Sequence, residues 1–226
     1  MARTTTKRTS TGRAGTKRPG AKQDGKTDFA DQVLETALDL AEDAGWQSVR
    51  LHDIADRLGV PPGRILEHYR DTDSIADKWL RRGLDAMIAP KDSGFADLPA
   101  QQRIEICLLA WFDALVPHRS VTAAMVRGKM HLSHPHHWVP MIFNLSRTIQ
   151  WLREAALLPA SYGTRRAQIE ETGLTGLFLA TFAVWARDDT PGQDRTRQFL
   201  RRRLDRADRL MAGLFGKGRA SVDTAD

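Results

Sequence analysis

Apolar residues along this chain recur at intervals of three and four, and the pattern predicts helices rather than strands. Phe29, Val33, Ala37, Leu40 and Ala44 form one such stripe and define a first helix from Asp28 to Ala44. Thr27 or Asp28 would cap its first turn, and Gly45, free to adopt positive φ, would end it. Trp46 then packs beneath the next helix. A second helix spans about Arg50 to Leu58, with Leu51, Ile54, Ala55 and Leu58 inward, and Gly59 breaks it. Pro61 or Pro62 opens a short third helix, since a missing N–H is harmless in a first turn. That helix runs to about Tyr69 and buries Ile65, Leu66 and Tyr69 to differing degrees. Asp71, Thr72 and Asp73 supply a fresh N-cap, and a fourth helix runs through Ile75, Trp79, Leu84 and Met87 to a stop at Pro90.

The polar stretch from Lys91 to Pro99 reads as a linker. Long helices follow at about 99–116, 119–131, 135–157, 163–187 and 193–214, broken at Pro117, near Pro135, at Pro159 to Gly163 and at Pro191–Gly192. The expected fold is all-α with about nine helices. Residues 27–72 form a helix-turn-helix head and 73–215 a helical body, with disordered tails at 1–26 and 216–226.

Charge sharpens this division. The net charge of +6 is not spread evenly, because residues 1–26 hold eight basic residues and one acid. The other 200 residues therefore sum to −1. A flexible basic arm attracts polyanions with an affinity that falls as salt rises. No apolar run follows it, so it does not read as a secretory signal. The uncharged run from Thr172 to Ala186 is too short to span a bilayer, which takes about 20 residues. One cysteine, Cys107, allows no internal disulfide and fits a reducing cytoplasm.

In a helix-turn-helix, one short helix braces a second so that its outer face enters the major groove. The contact needs a small residue and the turn needs a permissive one; Ala55 and Gly59 fill these roles, with Ile54, Val60 and Ile65 as the local core. Val49–Arg50–Leu51–His52–Asp53–Ile54–Ala55, Leu58–Gly59–Val60, Gly63–Arg64–Ile65 and His68–Tyr69 together resemble the head of the tetracycline-repressor (TetR) family. The resemblance covers about 28–88 and extends to the body as a helical pattern. It implies a homodimer that binds double-stranded DNA at a near-palindromic operator and responds to a ligand in the body. The DNA-contacting positions would be Arg50, Pro61, Pro62, Gly63, Arg64, His68, Tyr69 and Thr72. The family usually carries a small hydroxyl residue and a lysine at Pro61 and Pro62, a threonine at Arg64, a tyrosine at Leu66 and a lysine at Thr72. Most of those absent groups are phosphate anchors, and phosphate contacts supply much of the affinity. Arg64 can still fork onto a guanine edge, and the basic arm could replace the lost attraction.

The body is rich in aromatic residues. Trp111, Met125, Trp138, Phe178 and Phe182 are candidates for an apolar pocket between helices. The run Leu174 to Phe182 is apolar nearly all round, as at a dimer interface. The arginines at 201–203 read as a solvated rim around Phe199, Leu204 and Leu210. Trp185–Ala186–Arg187–Asp188–Asp189–Thr190–Pro191 and Phe199–Leu200–Arg201–Arg202–Arg203–Leu204 resemble the C-terminal end of the TetR-fold lipid-binding proteins of ubiquinone biosynthesis. Gly45–Trp46 fits them too. This second resemblance implies an isoprenoid lipid in the body and no DNA reading.

His131, His134, His136 and His137 lie close together and carry imidazoles suited to zinc or nickel. Pro135 interrupts any helical i, i+4 pair, so a polar turn is expected there rather than a metal site. No phosphate loop, nucleophile elbow or paired-cysteine motif points to an enzyme, and no cofactor is implied.

Overall fold

Gly45 (φ 82°) and Gly59 (φ 66°) both adopt the positive φ that a β-carbon would strain, and each ends a helix of the head. The computed structural model describes residues 21–129, 135–161 and 163–215. Nine α-helices occur among them: α1 (Ala21–Ala44), α2 (Leu51–Leu58), α3 (Pro62–Leu66), α4 (Thr72–Ile88), α5 (Ala100–Leu115), α6 (Arg119–Lys129), α7 (Pro135–Ala155), α8 (Arg165–Trp185) and α9 (Asp194–Phe215). No strand appears among the described residues, and the fold is all-α as expected.

Two boundaries differ from expectation. Helix α1 continues back to Ala21, so residues 21–26 are helical and Asp28 does not cap its start. The Asp28 carboxylate instead accepts a hydrogen bond from Gln32 Nε2 one turn on (3.1 Å). Helix α3 ends at Leu66, and the Leu66 side chain is 64% exposed rather than buried. The linker at 91–99 is not wholly polar in its packing, because a 3-10 turn over Phe95–Asp97 buries Phe95.

Val33, Leu34, Ala37 and Leu38 of α1 meet Ile54, Ala55, Ile65 and Ile75 in the middle of the head, all fully buried. Each large side chain there contributes about 1.5–3 kcal/mol of apolar burial. Asp71 starts α4 through a reciprocal cap: Ser74 N–H donates to its carboxylate (2.7 Å), and Asp71 N–H donates to Ser74 Oγ (3.2 Å). Helix α4 carries the chain from head to body, where α5 packs against α4, α7, α8 and α9.

Head and body are also joined side by side. Glu42 of α1 meets His118 Nδ1 (3.0 Å) and accepts from Ser120 Oγ (3.1 Å). Arg82 of α4 pairs with Glu35 (2.6 Å). Trp79 Nε1 donates to Thr122 Oγ1 (2.7 Å), tying α4 to α6. At the far end, Arg153 is buried between α7 and α8, facing Glu170 and Glu171 and donating to the Ala160 carbonyl (2.7 Å).

Candidate nucleic-acid face and ligand cavity

The turn between α2 and α3 leaves Pro61, Pro62, Gly63 and Arg64 exposed, with Pro61 at the N-cap and Pro62 opening α3. Arg50 is exposed at the N-cap of α2. Thr72 is half-buried as the first residue of α4. Arg64 is not free: its Nη1 lies 2.6 Å from Glu67 Oε2, and its guanidinium sits 5.2 Å from the centre of the Phe29 ring.

His68 and Tyr69 face the protein. The His68 ring packs 5.3 Å from Phe29, and its Nε2 is buried without a hydrogen-bond partner. Tyr69 lies in the head core, and its hydroxyl donates to the Ala30 carbonyl (2.9 Å). Burial, reinforced by the Asp31 charge, pushes its phenol up to about 12 despite the opposing Arg82. Tyr69 is therefore a packing residue rather than a groove contact, because its ring and hydroxyl are both committed inside the head.

Residues 27–72 carry ten acids and four basic residues, a net charge of −6. Six of the acids, Asp28, Asp31, Glu35, Asp39, Glu42 and Asp43, are spaced to fall on one side of α1. Dividing the charge only between tail and remainder conceals this, since basic residues further along the body balance the acidic head. A surface of this sign repels phosphodiesters.

The body holds a cavity of about 460 Å³ between α4, α5, α6, α7 and α8. Trp111, Phe178 and Leu84 are its buried floor, with Leu80, Val126 and Phe182 on its walls. Trp111 meets Phe178 edge-on at 5.0 Å, and Phe112 stacks on Phe178 at 5.8 Å. The indole reaches this position because α4 has no side chain at Gly83; a β-carbon there would lie 2.8 Å from Trp111 Nε1. Of the expected pocket residues, Trp111, Phe178 and Phe182 line the cavity, whereas Met125 is in the core and absent from its walls. The side chain of Trp138 lies outside the described residues, as does the His131–His137 cluster. The rim is polar, formed by Asp77 and Arg81 of α4 with Asn144, Arg147 and Thr148 of α7, a feature not anticipated from sequence.

Beyond the cavity, Asp188 lies near the start of the α8–α9 connection. Its carboxylate accepts from the backbone N–H and hydroxyl of both Thr190 and Thr196. Burial alone would raise this carboxyl, but the four bonds outweigh it and hold it at about 2. Cys107 is buried in α5, where desolvation pushes its thiol up.

The chain is thus all-α, with an N-terminal helix-turn-helix head and a helical body that holds a cavity. A TetR transcriptional regulator from Nitrosomonas europaea ATCC 19718 is 39% identical, with a TM-score of 0.70, over 80% of this chain and 98% of that one. The chain belongs to the TetR family. A TetR transcriptional regulator from Rhodococcus sp. RHA1 shares the fold at 18% identity and a TM-score of 0.55, covering 81% of this chain and 96% of that one. The COQ9 family model matches residues 160–211, the region that carries the second resemblance. No curated protein matches. No helix among the described residues is long and apolar enough to cross a membrane.

Proposed function

We propose that this protein binds an apolar, lipid-like ligand in the cavity of its body, and that its head does not by itself grip duplex DNA. The observation that carries the reading is the cavity of about 460 Å³ floored by Trp111, Leu84 and Phe178. Its size falls within the 300–1,000 Å³ range of small-molecule sites. The head's net charge of −6 and the Arg64–Glu67 pair favour this reading over DNA recognition. The COQ9 match at residues 160–211 supports it from the other end of the chain.

Tryptophan fluorescence tests the proposal, because Trp111 lines the cavity. Titrating the delipidated protein with farnesol, a neutral isoprenoid probe, should give a saturable change that Trp111→Phe removes. A flat titration of the wild type would overturn the reading.

A second reading is a ligand-responsive regulator that binds an operator as a dimer. The exposed start of α3 and the 39% identity to the Nitrosomonas TetR transcriptional regulator favour it. In that case the basic N-terminal segment supplies the phosphate attraction, and a second copy covers the exposed α8 positions Ile169, Gly173, Gly176 and Ala183. Specific retardation of promoter DNA at physiological salt, lost on replacing Arg64, would support this reading over the first.

A further inference from the structure

The cavity changes chemistry from floor to rim. Trp111 and Phe178 at the floor are 5% and 7% exposed, so a ligand's inner part meets an apolar, aromatic surface. The rim residues of α7 repeat on one side of the helix, as Asn144, Arg147 and Thr148 are three and four residues apart. Arg147 is exposed and has no ion pair or hydrogen bond among the described residues. Across the mouth, Arg81 is paired with Asp85 (2.8 Å), and Lys78 lies 3.7 Å from Asp31. The charged lining residues are therefore three cations and one acid, Asp77, and among the described residues Arg147 is the cation with no ion-pair partner.

From this we infer that the site selects an amphiphile with a single anionic head, held at the mouth by Arg147, and with its apolar body on the aromatic floor. The inference rests on the cavity reading above and adds the head group to it. An unpaired guanidinium presents a planar fork matched to a carboxylate or phosphate monoester, and such charge-assisted bonds are stronger than neutral ones. A neutral alcohol of equal chain length would fill the same apolar volume without satisfying Arg147.

The test uses the full chain and four probes of one length, each below its micellar concentration: dodecanoate, dodecyl phosphate, dodecanol and dodecylamine. Binding is read by tryptophan fluorescence and by calorimetry. The wild type should bind one or both anions roughly tenfold or more tighter than dodecanol, and dodecylamine weakest. The stronger of the two anions identifies the head as carboxylate or phosphate. Arg147→Ala should bring the anions to the level of dodecanol and leave dodecanol unchanged, while Arg147→Lys should retain part of the preference. Equal binding of dodecanoate, dodecyl phosphate and dodecanol by the wild type would overturn the inference while leaving the cavity reading intact. An equal loss of all probes in Arg147→Ala would also overturn it, since the arginine would then only shape the cavity. Failure of every probe to bind would overturn both.

Discussion

Arg64 and Glu67, one turn apart at the end of α3, form a 2.6 Å ion pair that occupies the exposed cation of that helix. Side chains of both are about half-exposed, so the pair itself contributes little to stability. Its consequence is functional, because a guanidinium held by a carboxylate must give up that partner before it can fork onto guanine. Within a head of net charge −6, the surrounding carboxylates oppose that exchange.

Any DNA affinity should therefore reside in the N-terminal segment. Residues 2–20 contain Arg3, Lys7, Arg8, Arg13, Lys17 and Arg18 and no acid. Deleting them leaves the described span of α1, Ala21–Ala44, intact. Residual DNA binding should then fall, and the slope of log affinity against log salt should flatten by up to about 5. Glu67→Gln, which frees Arg64, should strengthen residual binding a few-fold. Fluorescence anisotropy across a salt series measures both effects.

Tyr69 should behave as a core residue. Tyr69→Phe removes the bond to the Ala30 carbonyl and should cost about 1 kcal/mol in a denaturant titration. In the wild type, spectrophotometric titration minus that of Tyr69→Phe should give a phenol midpoint near 12 rather than the usual 10.

Asp188 should make stability depend on acid. Its folded-state carboxyl is held at about 2, below the ordinary 3.8. The stabilisation is therefore complete above the ordinary value and is lost as pH falls through the folded one. Asp188→Asn should lose about 2 kcal/mol at neutral pH. The gap between wild type and variant should narrow steadily between about pH 5 and pH 2, as read by denaturant midpoints at each pH.

Gly83 is where α4 admits the Trp111 indole. Gly83→Ala puts a β-carbon 2.8 Å from Trp111 Nε1, and the ring is locked against Phe112 and Phe178. The overpacking should cost about 1–3 kcal/mol. In the background Trp111→Leu, which removes the ring, the same substitution should cost far less, and a double-mutant cycle by thermal denaturation measures the coupling.

The helices were legible because their stops are chemical: Gly45, Gly59, Pro117 and Pro191–Gly192 each sit where a helix ends or a turn begins. The start of α1 was not, since the polar sequence before Asp28 has no apolar stripe to reveal it. Leu66 reads as core by type yet is exposed, because α3 ends at that residue. Arg153 reads as surface yet is buried, because two glutamates and a carbonyl from the segment and helix that follow reach it. The aromatic lining of the cavity was visible in Trp111, Phe178 and Phe182, while its rim was not, as Arg147 and Arg81 carry no pattern that separates a pocket mouth from a solvated face. The acidic head was present in the residue counts but hidden by the basic residues further along the chain.

A body cavity that serves as the functional site must lose its ligand when it is filled. Val126 lines it and is half-buried, so Val126→Phe fills the space with little strain on the core. The direct measurement is mass spectrometry of organic extracts from purified wild type and Val126→Phe, with ligand quantified per mole of protein. The wild type should carry an apolar-bodied ligand at near-stoichiometric amounts, and a folded Val126→Phe should lack it. A ligand-free wild type, or equal amounts of the same ligand in both proteins, would contradict that role for the cavity.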